Sequence, residues 1–141
     1  MDSPPTRILV VANRNAATPR LLDEVRRRAL AGPCEFALLI PAGARQGDWT
    51  FVSALPLMRR AAGGRVGSVA SGPDPFASVQ NALRHGNYDE IIVSTEPAWS
   101  QRWLRRDLVH RIQRLHLPVT VVAPHGMTNK KAARMMIDVG P

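Results

Sequence analysis

Residues 7–12 read Arg-Ile-Leu-Val-Val-Ala, an unbroken run of aliphatic side chains after one arginine. A run of this kind, without alternating polar residues, is typical of a parallel β-strand that is covered on both faces. Four further stretches have strand character: Cys34 to Ile40, Arg65 to Ala70, Asp89 to Thr95 and Pro118 to Ala123. The stretch from Arg65 to Ala70 contains a glycine, which favours a weak strand at an edge of the sheet.

Helical patterns separate these strands. Thr18 followed by Pro19 predicts an N-cap and a first helical residue, and the helix ends at Gly32-Pro33. Asp74-Pro75 predicts the same kind of start for a later helix, which Gly86 ends. The buried stripe of that later helix is predicted to contain Phe76, Val79 and Leu83.

Two other helices are predicted with less distinct boundaries. The segment from Trp49 to Ala62 is expected to turn helical near Ser53 or Pro56. A long arginine-rich helix is predicted from Trp99 to Leu115. Strands that alternate with helices predict an α/β fold with a parallel sheet and helices on both faces. In such a fold a ligand sits at the carboxyl ends of the strands, where the winding direction reverses.

The chain has 141 residues, which is the length of a single domain. We expect a flexible N-terminus over residues 1–6, one domain over 7–124 and a C-terminal tail over 125–141. The apolar run Met135-Met136-Ile137 predicts that this tail packs on the domain or on a partner subunit. The lone cysteine, Cys34, excludes an internal disulfide and suits a reducing compartment, so we expect a cytoplasmic protein without a signal peptide or membrane span.

The formal net charge is +8, and most of it lies in the last third of the chain. Residues 99–141 contain eight basic and two acidic side chains. Such a charge attracts polyanions without specificity, so nucleic acids, nucleotides and anionic surfaces are all candidate partners. The alternative is compositional, because an arginine-rich and lysine-poor chain is also what a GC-rich genome encodes.

Several kinds of site are excluded by their missing motifs. No GxGxxG follows the first strand, and no GxxxxGK[ST] occurs anywhere. The four histidines include no i,i+4 pair and only one cysteine could join them, so no metal site is expected. No combination of nucleophile, base and acid is recognisable, and we therefore expect no catalytic residues and a protein that is not an enzyme.

From Arg7 to Pro124 the chain resembles the universal stress protein family. The resemblance rests on RILVVAN with the Thr-Pro helix start, on GPDPFASVQNAL, on YDEIIVST and on LPVTVVAP. It is similar in particular to short actinobacterial members with an arginine-rich helix. The resemblance implies a Rossmann-like sheet of order 3-2-1-4-5, a ligand crevice between strands 1 and 4, and a homodimer formed through the last strand.

Members of this family that bind ATP have an aspartate after the first strand and a Gly-x2-Gly-x9-Gly-Ser/Thr motif after the fourth. Here Asn13 stands at the aspartate position. The glycine positions hold Ser94, Pro97 and either Arg106 or Asp107. The resemblance therefore implies a chain that does not bind ATP, or any other cofactor, in the family manner.

A modified anion site at the same crevice is an alternative. It would combine Asn13, Arg14, Ser94, Thr95 and Arg102, because hydroxyls and guanidinium groups can bind phosphate or carboxylate without glycines. Two observations argue against this site. Glu96 would repel an anion, and the arginines are also explained as the solvent-exposed face of a helix.

A third interpretation is nucleic-acid association through a basic face comprising Arg105, Arg106, Arg111 and Arg114. Trp99 and Trp103 lie one helical turn apart beside it and could stack on bases, or else serve packing or self-association. The leading interpretation is a non-enzymatic regulatory or scaffold domain that forms a homodimer.

Overall fold

A computed structural model describes residues 4–12, 18–40, 49–94 and 107–122. The described strands are β1 (Thr6–Val11), β2 (Cys34–Leu39), β3 (Val66–Val69), β4 (Glu90–Ser94) and β5 (Val119–Val122). The described helices are α1 (Pro19–Ala31), α2 (Trp49–Ala62), α3 (Pro75–Gly86) and α4 (Asp107–Gln113). All five predicted strands are present, and each end lies within one residue of its predicted position.

The five strands form one sheet of order β3-β2-β1-β4-β5, in which every neighbouring pair is parallel. The short strand β3 lies at one edge, as its glycine predicts. The central strand β1 contacts β2 on one side and β4 on the other, with Ile8 opposite Phe36 and Glu90. The α/β class and the strand order implied by the resemblance are confirmed.

Two hydrophobic cores lie on opposite faces of the sheet because successive strand residues point to opposite sides. On the first face Ile8 and Val10 pack with helices α1 and α2, which supply Leu21, Val25, Ala54 and Met58. On the second face Leu9 and Val11 pack with helices α3 and α4, which supply Val79, Ala82, Val109 and Ile112. Both faces of β1 are therefore covered, which explains its continuous apolar run.

The two predicted N-caps are confirmed. The Thr18 hydroxyl accepts a hydrogen bond from the Leu21 amide at 3.4 Å. The Asp74 carboxylate accepts one from the Ala77 amide at 3.1 Å. Each cap precedes a proline, which needs no partner because it has no N–H.

The start of α2 differs from the sequence prediction. Helix α2 begins at Trp49, so Pro56 lies inside the helix instead of near its start. The lost backbone hydrogen bond at Pro56 is offset by burial of Ala54 and Met58 on the sheet. Helix α3 ends at Gly86, as predicted, and the residue that follows it, Asn87, has a left-handed conformation (φ 51°).

The predicted stripe of α3 faces the second core, and two more residues of the helix are buried beside it. Val79 is fully buried, but Phe76 and Leu83 are only partly buried. Ser78 and Ala82 are the other buried residues of the helix, since small side chains let it lie close to its neighbours. Of the predicted helix Trp99 to Leu115, only the part from Asp107 onward falls within the described residues.

Candidate functional site

The winding of the sheet reverses between β1 and β4. Chain connections lead from β1 to β2 in one direction, and from β4 to β5 in the other. In doubly wound sheets a reversal of this kind is where a ligand crevice is expected, here at the carboxyl ends of β1 and β4. The register of the two strands pairs Val11 with Val93, which sets Ala12 beside Ser94 at this edge.

Ser94 is the polar side chain that the structure places at this crevice. It is the last residue of β4, is only 1% exposed, and lies next to the fully buried Ala12. The Ser94 hydroxyl has no hydrogen-bond partner among the described residues. An unsatisfied buried hydroxyl costs about 1–3 kcal/mol, so a hydroxyl at this position favours a polar partner.

The other predicted members of this site are Asn13, Arg14, Thr95 and Arg102, which lie outside the described residues. Their convergence with Ser94 remains a prediction. What the structure adds is the position of Ser94 itself, at the end of a central strand where the predicted crevice lies.

The predicted basic face is placed only in part. Arg105 and Arg106 lie outside the described ranges, whereas Arg111 and Arg114 are described and exposed. The Arg111 guanidinium stacks over the Phe76 ring at 4.1 Å from the ring centre, which joins α4 to α3. This contact occupies one face of the guanidinium within the domain. Nucleic-acid binding through the basic face stays a prediction.

Cys34 has the environment of a structural thiol. Its Sγ donates a hydrogen bond to the carbonyl of Arg28 at 3.4 Å. Burial raises the pKa of the Cys34 thiol, with the nearby Arg28 charge opposing that shift. The thiol is therefore neutral at pH 7, and a neutral thiol is a poor nucleophile.

The described ranges contain neither a cluster of metal ligands nor a membrane-spanning helix. No group of three histidine, cysteine, aspartate or glutamate side chains lies close enough to share a metal ion there. Among those same residues, no helix has both the length and the apolar character needed to cross a bilayer.

A second candidate site lies at the opposite end of the sheet and was not predicted. It is an open groove of about 800 Å³ that runs from the amino ends of β1 and β2 along the whole of β3, and we call it the amino-end groove. Its lining includes Arg7, Glu35, Ala37, Arg59, Arg65, Gly67, Val69 and Tyr88. The one sequence signal that could have indicated it is Gly67, since a glycine inside a strand often marks a close approach to the backbone.

No protein-family model matches the chain, and no curated protein matches its sequence. Solved structures do match its fold. A universal stress protein from M. smegmatis, crystallised in complex with cAMP, has a TM-score of 0.58 and 14% identity, over 84% of this chain and 98% of that one. A universal stress protein from Archaeoglobus fulgidus has a TM-score of 0.53 and 16% identity, over 83% and 93% respectively. With its five parallel strands in the order 3-2-1-4-5, this chain has the fold of the universal stress proteins.

Proposed function

We propose that this chain is a non-enzymatic regulatory or scaffold domain that does not bind ATP in the manner of ATP-binding universal stress proteins. The proposal rests on the observation that Ser94, at the first position of the glycine motif, has a buried side chain. Glycines allow phosphates to approach the backbone amides, and a side chain at that point occupies the space. Pro97, at the second glycine position, also lacks an amide donor.

A homodimer in the cytoplasm is part of the same proposal. The dimer rests on the resemblance to a family that commonly associates through its last strand, and β5 is an edge strand here. The proposal of a cytoplasmic location rests on the single cysteine, which suits reducing conditions. Light scattering of the purified protein tests the dimer, which requires a mass of twice 15.5 kDa.

Thermal unfolding with and without ATP tests the main claim. A ligand present at 100 times its dissociation constant stabilises a protein by about 2.7 kcal/mol, which raises the melting temperature measurably. We expect ATP to produce no shift beyond that of tripolyphosphate, since a +8 chain attracts both anions equally. A large stabilisation by ATP that tripolyphosphate does not reproduce would overturn the proposal.

A second candidate function is a sensor for a nucleotide or another small anion at the crevice between β1 and β4. The buried hydroxyl of Ser94 has no partner among the described residues, which favours this function, since a ligand oxygen would satisfy that group. The M. smegmatis structure with the same fold contains cAMP, a nucleotide that has one phosphate group and no triphosphate. The ligand would be bound by Ser94 together with Asn13, Arg14, Thr95 and Arg102.

Calorimetry with cAMP distinguishes the two functions. The sensor predicts saturable binding that is lost when Asn13→Ala and Arg102→Ala are combined, while the scaffold predicts no binding at all. Arg26→Ala is the matched control, because Arg26 is an exposed arginine on α1 whose carboxylate partner, Asp23, is on the same helix. Binding by the double variant as tight as that of the unaltered chain would remove the proposed site.

A further inference from the structure

The floor of the amino-end groove is apolar. Ala37 on β2 and Val69 on β3 point to the second face of the sheet, and Gly67 lies two residues before Val69 on that same face. A Cβ atom at Gly67 would meet no other atom within 4 Å. The space above Gly67 is therefore open, and the groove continues to the backbone of the edge strand.

One wall of the groove is aromatic and cationic. The Arg7 guanidinium lies 5.3 Å from the centre of the Tyr88 ring, in a cation–π contact. The Arg7 Nε lies 3.5 Å from a carboxylate oxygen of Glu35, within ion-pair range but without a hydrogen bond. The Glu35 side chain is largely exposed, which weakens that ion pair.

The opposite wall adds further positive charge. Arg59 reaches from α2 to donate a hydrogen bond from Nη2 to the carbonyl of Val66 at 3.3 Å, and Arg65 lines the groove just before β3. Among the described residues, the lining of the groove therefore includes three arginines and one carboxylate around an apolar floor. A guanidinium has five N–H donors, so Arg59 retains donors beyond the bond to Val66.

We propose that the amino-end groove binds a small aromatic carboxylate. The flat ring would lie over Gly67 between the walls, and the carboxylate would accept hydrogen bonds from the arginines. The volume of about 800 Å³ is in the range typical of small-molecule sites. This site is separate from the crevice at the carboxyl ends of β1 and β4 and does not depend on the function proposed for that crevice.

The positive charge of the basic part of the chain's own C-terminal segment argues against that part as the occupant. Residues 123–141 contain Lys130, Lys131 and Arg134 but only one acidic side chain, Asp138. A positive segment would be repelled by a groove with excess positive charge. Charge complementarity instead favours a free anion.

Calorimetric titration of the full chain with 1-naphthoate tests the proposal, with the neutral 1-naphthalenemethanol as the matched ligand. We expect saturable binding of one naphthoate per chain at concentrations up to about 1 mM. The alcohol should bind at least about tenfold more weakly, since it lacks the charge that the arginines recognise. Absence of saturable naphthoate binding, or equal binding of the alcohol, would overturn the proposal.

Two substitutions, each with a control, test whether naphthoate binds in the amino-end groove. Gly67→Val fills part of the floor, its Cβ atom meets nothing within 4 Å, and valine favours strands. Folding should therefore be retained while naphthoate binding weakens at least about tenfold. Gly32→Val is its control, because a Cβ atom at Gly32 also meets nothing within 4 Å and lies away from the groove. Unchanged binding by a folded Gly67→Val variant would show that the ligand lies elsewhere.

Arg59→Gln supplies an independent test that leaves the strand unaltered. It should weaken naphthoate binding several-fold and leave the alcohol unaffected. Arg60→Gln is the control. Arg60 is the next residue on α2 and is also exposed, but it does not line the groove. An equal loss of affinity in both variants would indicate attraction to the overall charge and would contradict a built site.

Discussion

Gly86 leaves room for the Tyr88 ring at the end of α3 because glycine has no side chain. It is the last residue of α3, and a Cβ atom there would overlap with the ring of Tyr88. Asn87, between them, turns the chain with a φ of 51°, a conformation that asparagine tolerates. This turn sets the Tyr88 ring against Gly86 and leaves it packed on the second core.

We predict that Gly86→Ala destabilises the chain by about 1–3 kcal/mol, the usual cost of overpacking. The gain in helix propensity, up to about 1 kcal/mol, offsets part of this cost. Urea unfolding followed by circular dichroism measures the change. In a Tyr88→Ala background the same substitution should cost nothing, because the ring is absent, and an undiminished penalty would contradict the steric explanation.

At the scale of elements, the start of α3 is held by a local hydrogen-bond network. Asp74 accepts from the Ala77 amide, and its carbonyl accepts from the Ser78 amide at 3.0 Å and from the Ser78 hydroxyl at 2.9 Å. The Ser78 hydroxyl in turn accepts from the Gly72 amide at 2.9 Å. The turn and the first helical turn are therefore joined before α3 contacts the sheet.

Removal of this cap should be visible in the free energy of unfolding. We predict a loss of about 1 kcal/mol for Asp74→Ala, measured by urea denaturation. Asp74→Asn should retain nearly full stability, because asparagine caps helices as well as aspartate does. Equal losses in the two variants would mean that the charge, and not the capping acceptor, is what matters.

Another contact at this scale joins a helix to the sheet. Arg28 on α1 forms an ion pair with Glu90 at the start of β4, and both side chains are mostly buried. Beside it, the Arg7 amide donates to Asp89 at 2.9 Å and the Asp89 amide donates to the Arg7 carbonyl at 2.7 Å. These contacts align β1 and β4 at their amino ends, and so help to set the register with which the two strands reach the crevice.

For the whole molecule, the pKa shifts predict a loss of stability at alkaline pH. Burial raises the pKa of Cys34 and of Tyr88, with a nearby arginine opposing the shift in each case. Both groups hold their proton more tightly in the folded chain, so the unfolded chain ionises first as the pH rises. Their stabilisation is complete below about pH 8.5, where cysteine and tyrosine are neutral in both states, and declines above it.

Urea unfolding between pH 7 and pH 10.5 measures this loss. The double variant Cys34→Ser, Tyr88→Phe retains the shapes of both side chains and removes both titrations. We expect its free energy of unfolding to decline less steeply with pH than that of the unaltered chain. Parallel pH profiles for the two proteins would assign the alkaline loss to other groups.

Features that depend on residues close together in the sequence were predicted correctly, whereas some features that depend on distant residues were not. Thr18-Pro19 and Asp74-Pro75 were predicted as helix starts correctly, because a cap and its partner amide lie three residues apart. The start of α2 was wrong because Pro56 is locally a typical first-turn residue, and only packing on the sheet explains its position inside a helix. For the candidate site, Ser94 was predicted at the crevice, but its burial and unpaired hydroxyl depend on neighbouring strands.

The linear pattern of apolar runs, caps and prolines established the α/β class, the number of strands and the position of most helices. These features follow from periodicity and short-range hydrogen bonds, which act along the chain. Contacts across the fold decided the remainder: Arg111 stacked on Phe76, Ser94 enclosed beside Ala12, and the amino-end groove assembled from three strands. Such contacts join residues far apart in sequence, so their geometry exists only after the strands have paired and the helices have packed on them.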